Sequence, residues 1–145
     1  MPKWVDDAFD EYAKRMPRGQ SVSLSAIATA ARKTGQTRQK LQQQEAEKIR
    51  SKIKPGSFTI ALDEKGKQWT TREWAEQFRR WKQQTPQLNF ILGGPDGLQP
   101  ELLQQADQKI ALGKMTMPHG LARVVLMEQI YRAWSVVEGH PYHRD

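Results

Sequence analysis

Residues 88–98 of this chain have the sequence LNFILGGPDGL, a short apolar run that leads directly into glycine. Such a run is typical of a strand buried on both faces of a sheet. Pro100 follows at a position suited to the first turn of a helix, so we predict a strand, a glycine turn and a helix. Glycines at the carboxyl end of a buried strand leave room for a ligand, although a tight turn with positive φ also accounts for them.

Strands and helices alternate along the rest of the chain. Residues 21–27 and 57–62 predict two more strands, and residues 63–67 predict a turn after the second of them. Apolar residues at helical spacing predict helices over 4–16, 38–53, 70–81 and 121–137, with Thr70 and Glu73 at the spacing of a capping box. We therefore expect an α/β fold with a mostly parallel sheet flanked by helices, in one domain over residues 1–145.

The apolar faces of two predicted helices indicate where the core lies. Trp74, Phe78 and Trp81 share one helical stripe, so we interpret them as core residues and not as a platform for base stacking. The last helix is expected to turn several apolar residues toward the interior, which are Leu121, Val124, Val125, Ile130 and Trp134.

Composition excludes several classes of protein. With 37% hydrophobic and 27% charged residues, the chain can bury a core, and global disorder is not expected. The absence of cysteine excludes disulfides, thiolate metal sites and cysteine nucleophiles. No apolar stretch reaches the roughly 18 residues of a spanning helix, and the first residues do not resemble a signal peptide, so we expect a cytoplasmic protein without membrane contact. The chain lacks both the Walker motif and the dinucleotide fingerprint, which disfavours a nucleotide triphosphatase.

Positive charge is concentrated in one segment. The formal net charge is +7, and residues 32–54 hold eight Lys and Arg residues against Glu45 and Glu47. This pattern fits a surface that contacts phosphate groups, for which Arg32, Lys33 and Arg38 are our candidates, and it equally fits a solvated helix face.

Two further segments carry chemistry-bearing side chains. Residues 113–120, GKMTMPHG, form a loop of small residues and proline before the last helix, and His119 is interpreted there as a cap or a satisfied polar group. Residues 140–145, HPYHRD, combine imidazole, phenol and guanidinium groups that stack on bases and pair with phosphates, although a frayed tail is the alternative. We assign no metal site, because no feature would order His140, His143 and Asp145 around an ion.

Taken together, several motifs resemble the RlmH family, small SPOUT-superfamily methyltransferases that modify a pseudouridine in large-subunit ribosomal RNA. The matching segments are LGGPDGL at 92–98, MPH at 117–119, QIYRAWS at 129–135, HPYHR at 140–144 and MPKWV at 1–5. The resemblance implies a trefoil knot at the carboxyl end, a homodimer and S-adenosyl-L-methionine as cofactor. General topology rules do not predict such a knot. The family opens with a strand before the MPKWV-like segment, and we expect that strand to be absent from this chain.

The resemblance also implies roles for particular residues. Cofactor contacts map onto Leu62, Gly93, Gly94, Gly113, Lys114, Met115, Thr116, Met117 and Pro118. We expect the tail of one subunit to reach the cofactor of the other, with His143 handling the proton or orienting the base. Tyr142 and Arg144 would hold the nucleotide, Arg132 would pair with phosphate, and His140 would contact the RNA.

The resulting expectation is methylation of N3 of a pseudouridine in 23S ribosomal RNA, on the assembled ribosome and without a metal. A noncatalytic, basic RNA-binding or ribosome-associated protein with a degenerate cofactor site is the alternative. A generic nucleotide-binding metabolic enzyme is a third interpretation, and it predicts no salt-dependent affinity for RNA.

Overall fold

The computed structural model describes residues 2–17, 22–26, 37–84, 87–93 and 97–143, with the backbone alone for 22–26. Helices and strands alternate in the described chain. Their order is α1 (Lys3–Ala13), β1 (Val22–Ala26), α2 (Arg38–Lys52), β2 (Phe58–Gln68), α3 (Thr71–Gln84), β3 (Leu88–Leu92), α4 (Pro100–Gln105), β4 (Gln108–Ala111) and α5 (His119–Glu138). The predicted α/β class is confirmed.

The described strands form one sheet in the order β1-β3-β2-β4. Each neighbouring pair is parallel, and β3 lies between β1 and β2. The prediction of a mostly parallel sheet flanked by helices is therefore confirmed. Because the strands run in one direction, their carboxyl ends all lie along the same edge of the sheet.

Both faces of the sheet are covered, and successive β3 residues alternate between them. Phe90 and Leu92 pack into a core with α3 and α5, whereas Ile91 packs with α2 and α4. As predicted, Trp74, Phe78 and Trp81 belong to the first core, which excludes their use as a stacking platform. The burial of β3 on both faces explains its continuous apolar sequence.

The ends of two helices have the local chemistry that their sequences predict. The Thr70 amide donates to Glu73 Oε1 at 3.0 Å, and the Glu73 amide donates to Thr70 Oγ1 at 3.2 Å, so the capping box forms. At the carboxyl end of α5, Gly139 terminates the helix with φ of 69°, a left-handed conformation that favours glycine.

The structure corrects two expectations about strands. The predicted turn over residues 63–67 is wrong, because β2 continues to Gln68. Leu62 and Lys67 both pair with Ile110, so the residues between them form an irregularity in the ladder instead of reversing the chain. In addition, β4 was not predicted, because its sequence QKIA is too short to establish a period.

The expectation that Leu121 faces the interior is also wrong. Its side chain is 41% exposed, whereas Leu126 and Ile130 on the same helix are buried. At 100° per residue, Leu121 lies on the side of α5 opposite Ile130, so one core cannot bury both. The trefoil knot and the homodimer stay predictions.

Gly66 should not tolerate a side chain. A Cβ there would lie 2.6 Å from backbone atoms of Ile110, whereas a Cβ at Gly113 meets nothing within 4 Å. We expect Gly66→Ala to lower the free energy of unfolding by about 1–3 kcal/mol, since backbone must move to admit the methyl group. Denaturant unfolding measures this effect, with Gly113→Ala as the matched control. Equal stability of the two variants would contradict the close approach of β2 and β4.

Candidate active site

The predicted cofactor residues come from segments that meet at the carboxyl edge of the sheet. Leu62 pairs with Ile110 of β4, and Ala61 pairs with Ile91 near the end of β3. Gly93 directly follows β3, and one residue separates Gly113 from the end of β4. The parallel sheet therefore brings Leu62, Gly93 and the start of the 113–118 loop to one edge.

The chain folds tightly on itself after β3. A Cβ at Gly93 would lie 2.5 Å from the carbonyl carbon of Gly97, and Gly97 has φ of 79°. Both glycines are thus required by backbone geometry, and the tight-turn interpretation is confirmed at Gly97. Gly94 and the two residues after it lie outside the described residues. The close approach leaves backbone, and not side chains, at the end of β3.

His119 joins the two glycine-containing loops. Its Nδ1 donates a hydrogen bond to the carbonyl oxygen of Gly93 at 2.7 Å, and it is the first residue of α5. In a neutral ring, this bond leaves Nε2 as an acceptor, and Nε2 is buried without a partner in the described structure. The expectation that His119 is a satisfied polar group is correct for one ring nitrogen and wrong for the other.

The 113–118 loop is open to solvent. Lys114, Met115 and Thr116 are exposed, with Met115 at 79%, while Gly113 and Met117 are half-buried and Pro118 directly precedes α5. Exposed backbone beside a buried, unpartnered imidazole nitrogen is a surface that can accept the hydrogen-bonding groups of a nucleoside. The residues present therefore fit a cofactor such as S-adenosyl-L-methionine.

The carboxyl-terminal tail folds back along α5 and does not extend into solvent. Tyr142 donates its hydroxyl hydrogen to Glu128 Oε1 at 3.0 Å, and the Arg132 guanidinium lies 5.2 Å from the centre of the Tyr142 ring. The Tyr142 ring also contacts Tyr131 edge-on, with 4.6 Å between centroids. The alternative of a frayed tail is therefore wrong for residues 140–143. Arg144 lies outside the described residues.

The two tail histidines have different tautomers in their neutral forms. Ser135 uses its hydroxyl hydrogen to donate to the Arg132 carbonyl at 2.7 Å, so His143 Nδ1, at 3.4 Å, can only donate to the Ser135 oxygen. His143 Nε2 then carries the lone pair. His140 is the reverse case, because its Nδ1 accepts from the Tyr142 amide at 3.2 Å and its Nε2 carries the proton. Between the two, His143 is thus the ring whose Nε2 can accept a proton.

The ionisation of Tyr142 is disfavoured by its surroundings. Burial raises the pKa of the Tyr142 phenol well above its usual value of about 10, and interactions with Tyr12 and the Glu128 carboxylate raise this pKa further. Tyr142 therefore stays a neutral hydrogen-bond donor near neutral pH. It can hold a nucleotide or a neighbouring side chain, and it does not supply a phenolate base.

Within one chain, the tail lies far from the carboxyl edge of the sheet with Leu62, Gly93 and the 113–118 loop, which we call the cofactor edge. Both are joined to α5, which runs over 20 residues from His119 to Glu138. Glu128, which contacts Tyr142, is about 14 Å along the helix axis from His119, and Ser135, which contacts His143, is about 24 Å away. Among the described residues, the structure therefore places Leu62, Gly93 and the 113–118 loop at one edge of the sheet and places His140, Tyr142 and His143 along α5, but it does not join the two groups.

The basic segment is described from residue 37 onward, so Arg32 and Lys33 lie outside the described residues. Arg38 is exposed in the first turn of α2, and the apolar stripe of this helix is buried. Arg50 is held by neutral acceptors, Gln99 at 3.1 Å and Gln105 at 3.3 Å. Contact of this segment with phosphate groups stays a prediction.

A groove of about 380 Å³ lies on the other edge of the sheet, near the amino ends of β2 and β4. Its lining includes Arg50, Lys54, Ser57, Thr59 and Asp107. It is larger than a single ion requires, but none of the predicted site residues lines it. It is therefore separate from the cofactor edge.

Glu128 is the residue of this region that the sequence analysis missed. Its partner Arg132 lies four residues later, and this i,i+4 spacing of opposite charges on a helix was the available signal. In the parts of the chain that the structure describes, no three His, Asp or Glu side chains are grouped to hold a metal ion. Over the same residues, no helix is long and apolar enough to cross a membrane.

A parallel α/β sheet with glycine-bounded loops at its carboxyl edge is a scaffold for binding a nucleoside-containing cofactor. The whole chain except its last two residues, 1–143, matches the family described as "Predicted SPOUT methyltransferase". The chain belongs to this family of SPOUT methyltransferases. Members of the family use S-adenosyl-L-methionine as the methyl donor.

More specific relatives share one name, Ribosomal RNA large subunit methyltransferase H. The protein of this name from Burkholderia multivorans (strain ATCC 17616 / 249) is 43% identical over 144 residues, which cover 99% of this chain and 92% of the relative. Those from Burkholderia ambifaria (strain MC40-6) and Burkholderia vietnamiensis (strain G4 / LMG 22486) are each 42% identical over the same lengths. The resemblance to the RlmH family is confirmed.

The raised pKa of Tyr142 predicts the pH range over which the tail stays docked. A phenol whose pKa is higher in the folded state stabilises that state below the unfolded pKa of about 10, and this contribution is lost as pH rises through the folded-state pKa. We expect ultraviolet titration of phenolate to show one tyrosine that ionises late, and Tyr142→Phe to remove it. The denatured chain is the reference, and a late phenol that persists in Tyr142→Phe would contradict the assignment.

Proposed function

We propose that this chain is an S-adenosyl-L-methionine-dependent methyltransferase that methylates N3 of a pseudouridine in large-subunit (23S) ribosomal RNA, on the assembled ribosome. Membership of the SPOUT family and the relatives named for large-subunit ribosomal RNA methylation support this proposal. The protein acts as a cytoplasmic homodimer of single-domain subunits, each with a trefoil knot at its carboxyl end. The contact with RNA uses the basic surface that includes Arg32, Lys33 and Arg38.

The cofactor binds at the carboxyl edge of the sheet. Leu62, Gly93, Gly94 and the loop from Gly113 to Pro118 surround it, and backbone groups of the two loops hold it. The hydrogen bond from His119 to Gly93 supports this assignment, because it fixes one loop against the other before a ligand binds. Fixed loops lower the entropy that binding has to overcome.

The separation within one chain is the observation that carries the dimer proposal. The tail contacts α5 about 14–24 Å from the helix start, so the tail of one subunit does not meet the cofactor edge of that same subunit. A second copy supplies the missing half. Trp4 and Leu121 support this proposal, because they are large apolar side chains that are 58% and 41% exposed. They belong to α1 and α5, two helices joined by the ion pair of Asp6 with Arg123 at 3.5 Å, and exposed apolar side chains of this size are typical of a contact surface.

The tail prepares the acceptor base for attack. The cofactor supplies a methyl group on a sulfonium centre, and the N3 proton of the base has to leave before or during transfer. His143 Nε2 would accept this proton, which would leave an electron pair on N3 for attack on the methyl group that the bound cofactor would supply. Tyr142, His140 and Arg144 hold the nucleotide, and Arg132 pairs with a phosphate group of the RNA. Most of the rate enhancement of methyl transfer comes from holding the reacting groups in line.

Calorimetry with S-adenosyl-L-methionine tests the cofactor site. We expect micromolar affinity with one site per subunit, and Gly93→Ala should weaken it at least about tenfold, because the added Cβ overlaps the backbone at Gly97. Gln83→Ala, on the exposed end of α3, is the control for mutation as such. Thermal unfolding of both variants checks that they fold. No detectable heat for the wild type would favour the noncatalytic RNA-binding alternative.

Mixed dimers test whether the tail acts on the other subunit. Gly93→Ala weakens cofactor binding and His143→Ala disables the tail, so at a cofactor concentration below the wild-type Kd each variant alone should transfer much less methyl to ribosomes from a strain lacking the enzyme. If the site combines two subunits, mixing the variants restores activity, because one of the two composite sites is then intact. If the tail acts within its own subunit, no mixture recovers activity. Near-normal turnover of His143→Ala alone would remove this residue from the mechanism.

A further inference from the structure

Glu128 lies in the middle of α5, and both of its carboxylate oxygens are used. Oε1 accepts from Arg132 Nε at 2.8 Å and from the Tyr142 hydroxyl at 3.0 Å, and it forms an ion pair with Arg132 at 2.6 Å. Oε2 accepts from the Gln129 side-chain amide at 2.9 Å. The carboxylate therefore connects a helix residue, Arg132, to a tail residue, Tyr142.

Burial makes these contacts strong. The Glu128 side chain is 16% exposed and that of Arg132 is 29% exposed, so water screens their interaction less than it screens a surface pair. Removing one partner of such a pair leaves a charge that is poorly solvated. The order of the pair, with the acid four residues before the base, is the favourable one on a helix.

Aromatic side chains also pack on the tail: Tyr131 lies 4.6 Å from Tyr142 and Trp134 lies 5.3 Å from His140, both between ring centroids, but these contacts are less directional than hydrogen bonds. After Gly139 ends α5, the His140 amide donates to the Ser135 carbonyl at 2.8 Å, which starts the turn back toward the helix. Beyond this turn, His143 contacts Ser135 at the longer distance of 3.4 Å. The hydrogen bond from Tyr142 to Glu128 is shorter and charge-assisted, so it fixes the tail more firmly than the His143 contact does.

Arg132 adds a second constraint on the same ring. Its guanidinium lies 5.2 Å from the Tyr142 ring centre while both Nε and one terminal nitrogen are held by Glu128. A guanidinium fixed in this way attracts the ring face and thereby orients the ring plane. Glu128 therefore helps to fix the Tyr142 hydroxyl, which also interacts with Tyr12, and through Arg132 it helps to orient the ring, which also packs on Tyr131.

We propose that Glu128 is a positioning residue for methyl transfer, which anchors the tail through Tyr142 and Arg132 and thereby places His143. This inference rests on the proposed function, since it concerns the tail that presents the nucleobase. It changes the expected role of Arg132, whose side chain orients the tail in addition to any contact with phosphate. Glu128 touches neither cofactor nor base and acts through Tyr142 and His143.

Four variants test the anchor from both of its ends. Glu128→Gln keeps the shape and an oxygen acceptor but loses the charge, Glu128→Ala removes the anchor, and Tyr142→Phe removes the donor. The double variant Glu128→Ala with Tyr142→Phe measures their coupling. Glu138→Gln is the matched control, because Glu138 lies on the same helix and pairs with Lys82, away from the tail.

The first readout is methyl transfer to ribosomes from a strain lacking the enzyme. We expect Glu128→Ala to lower kcat by about 100-fold, the scale of a misplacement near 1 Å, and Glu128→Gln and Tyr142→Phe to lower it by about tenfold. The KM for S-adenosyl-L-methionine should stay within about twofold, since the cofactor loops are untouched. The double variant should be no slower than Glu128→Ala, and Glu138→Gln should match the wild type.

The second readout is hydrogen exchange at the tail amides of residues 139, 140, 142 and 143, measured on the full chain. We expect faster exchange there in Glu128→Ala and in Tyr142→Phe, with unchanged exchange in β3. A conservative variant should recover part of the loss, so Glu128→Gln should lie between wild type and Glu128→Ala in both readouts. A purely structural role would instead speed exchange throughout the chain.

Three results would overturn the inference. These are a normal kcat in Glu128→Ala, an unchanged rate of tail exchange in that variant, and strictly additive losses in the double variant. A variant that does not fold is recognised by its circular dichroism, and Tyr142→Phe then tests the same anchor from the tail side. A wild-type chain that transfers no methyl group would refute the proposed function, so the two kinds of failure are distinguishable.

Discussion

The parallel pairing of β3 with strands on both of its sides constrains the rest of this structure. The strand is buried on both faces, so its residues alternate between two cores. Because β2, β3 and β4 run in the same direction, Leu62 in the middle of β2 lies level with the carboxyl ends of β3 and β4, near Gly93 and the loop after β4. The position of these residues at one edge thus depends on the direction of the strands more than on any single side chain.

The second constraint is the stiffness of α5. This helix begins at the cofactor edge, where His119 donates to Gly93, and it carries the contacts of the tail in its second half. A rigid helix keeps its two ends at a fixed separation, so within one chain the tail stays apart from the edge that carries the predicted cofactor residues. In two copies related by a twofold axis, the tail of one copy can lie at the cofactor edge of the other. The proposed mechanism therefore requires the dimer.

Particular residues show how far sequence reasoning reaches. The capping box of Thr70 and Glu73, the buried Trp81 and the left-handed Gly139 were predictable, because each depends on neighbours within a few positions. The continuation of β2 past Leu62 and the existence of β4 were not predictable, since each of these segments is held by pairing with the other. In the candidate site, the residue types of the tail were foreseen, but the anchor at Glu128 was not.

The sequence by itself determined the alternation of strands and helices, the burial of β3 on both faces of the sheet, the glycine turns and, through its motifs, the family. These depend on local conformational preference and on hydrophobic period, which neighbouring residues carry. Only the tertiary structure decided that Tyr142 of the tail donates to Glu128 and that His119 donates to the Gly93 carbonyl. It also decided that the tail and the cofactor edge lie apart. These contacts join residues that are distant along the chain, so their geometry depends on how the whole chain packs.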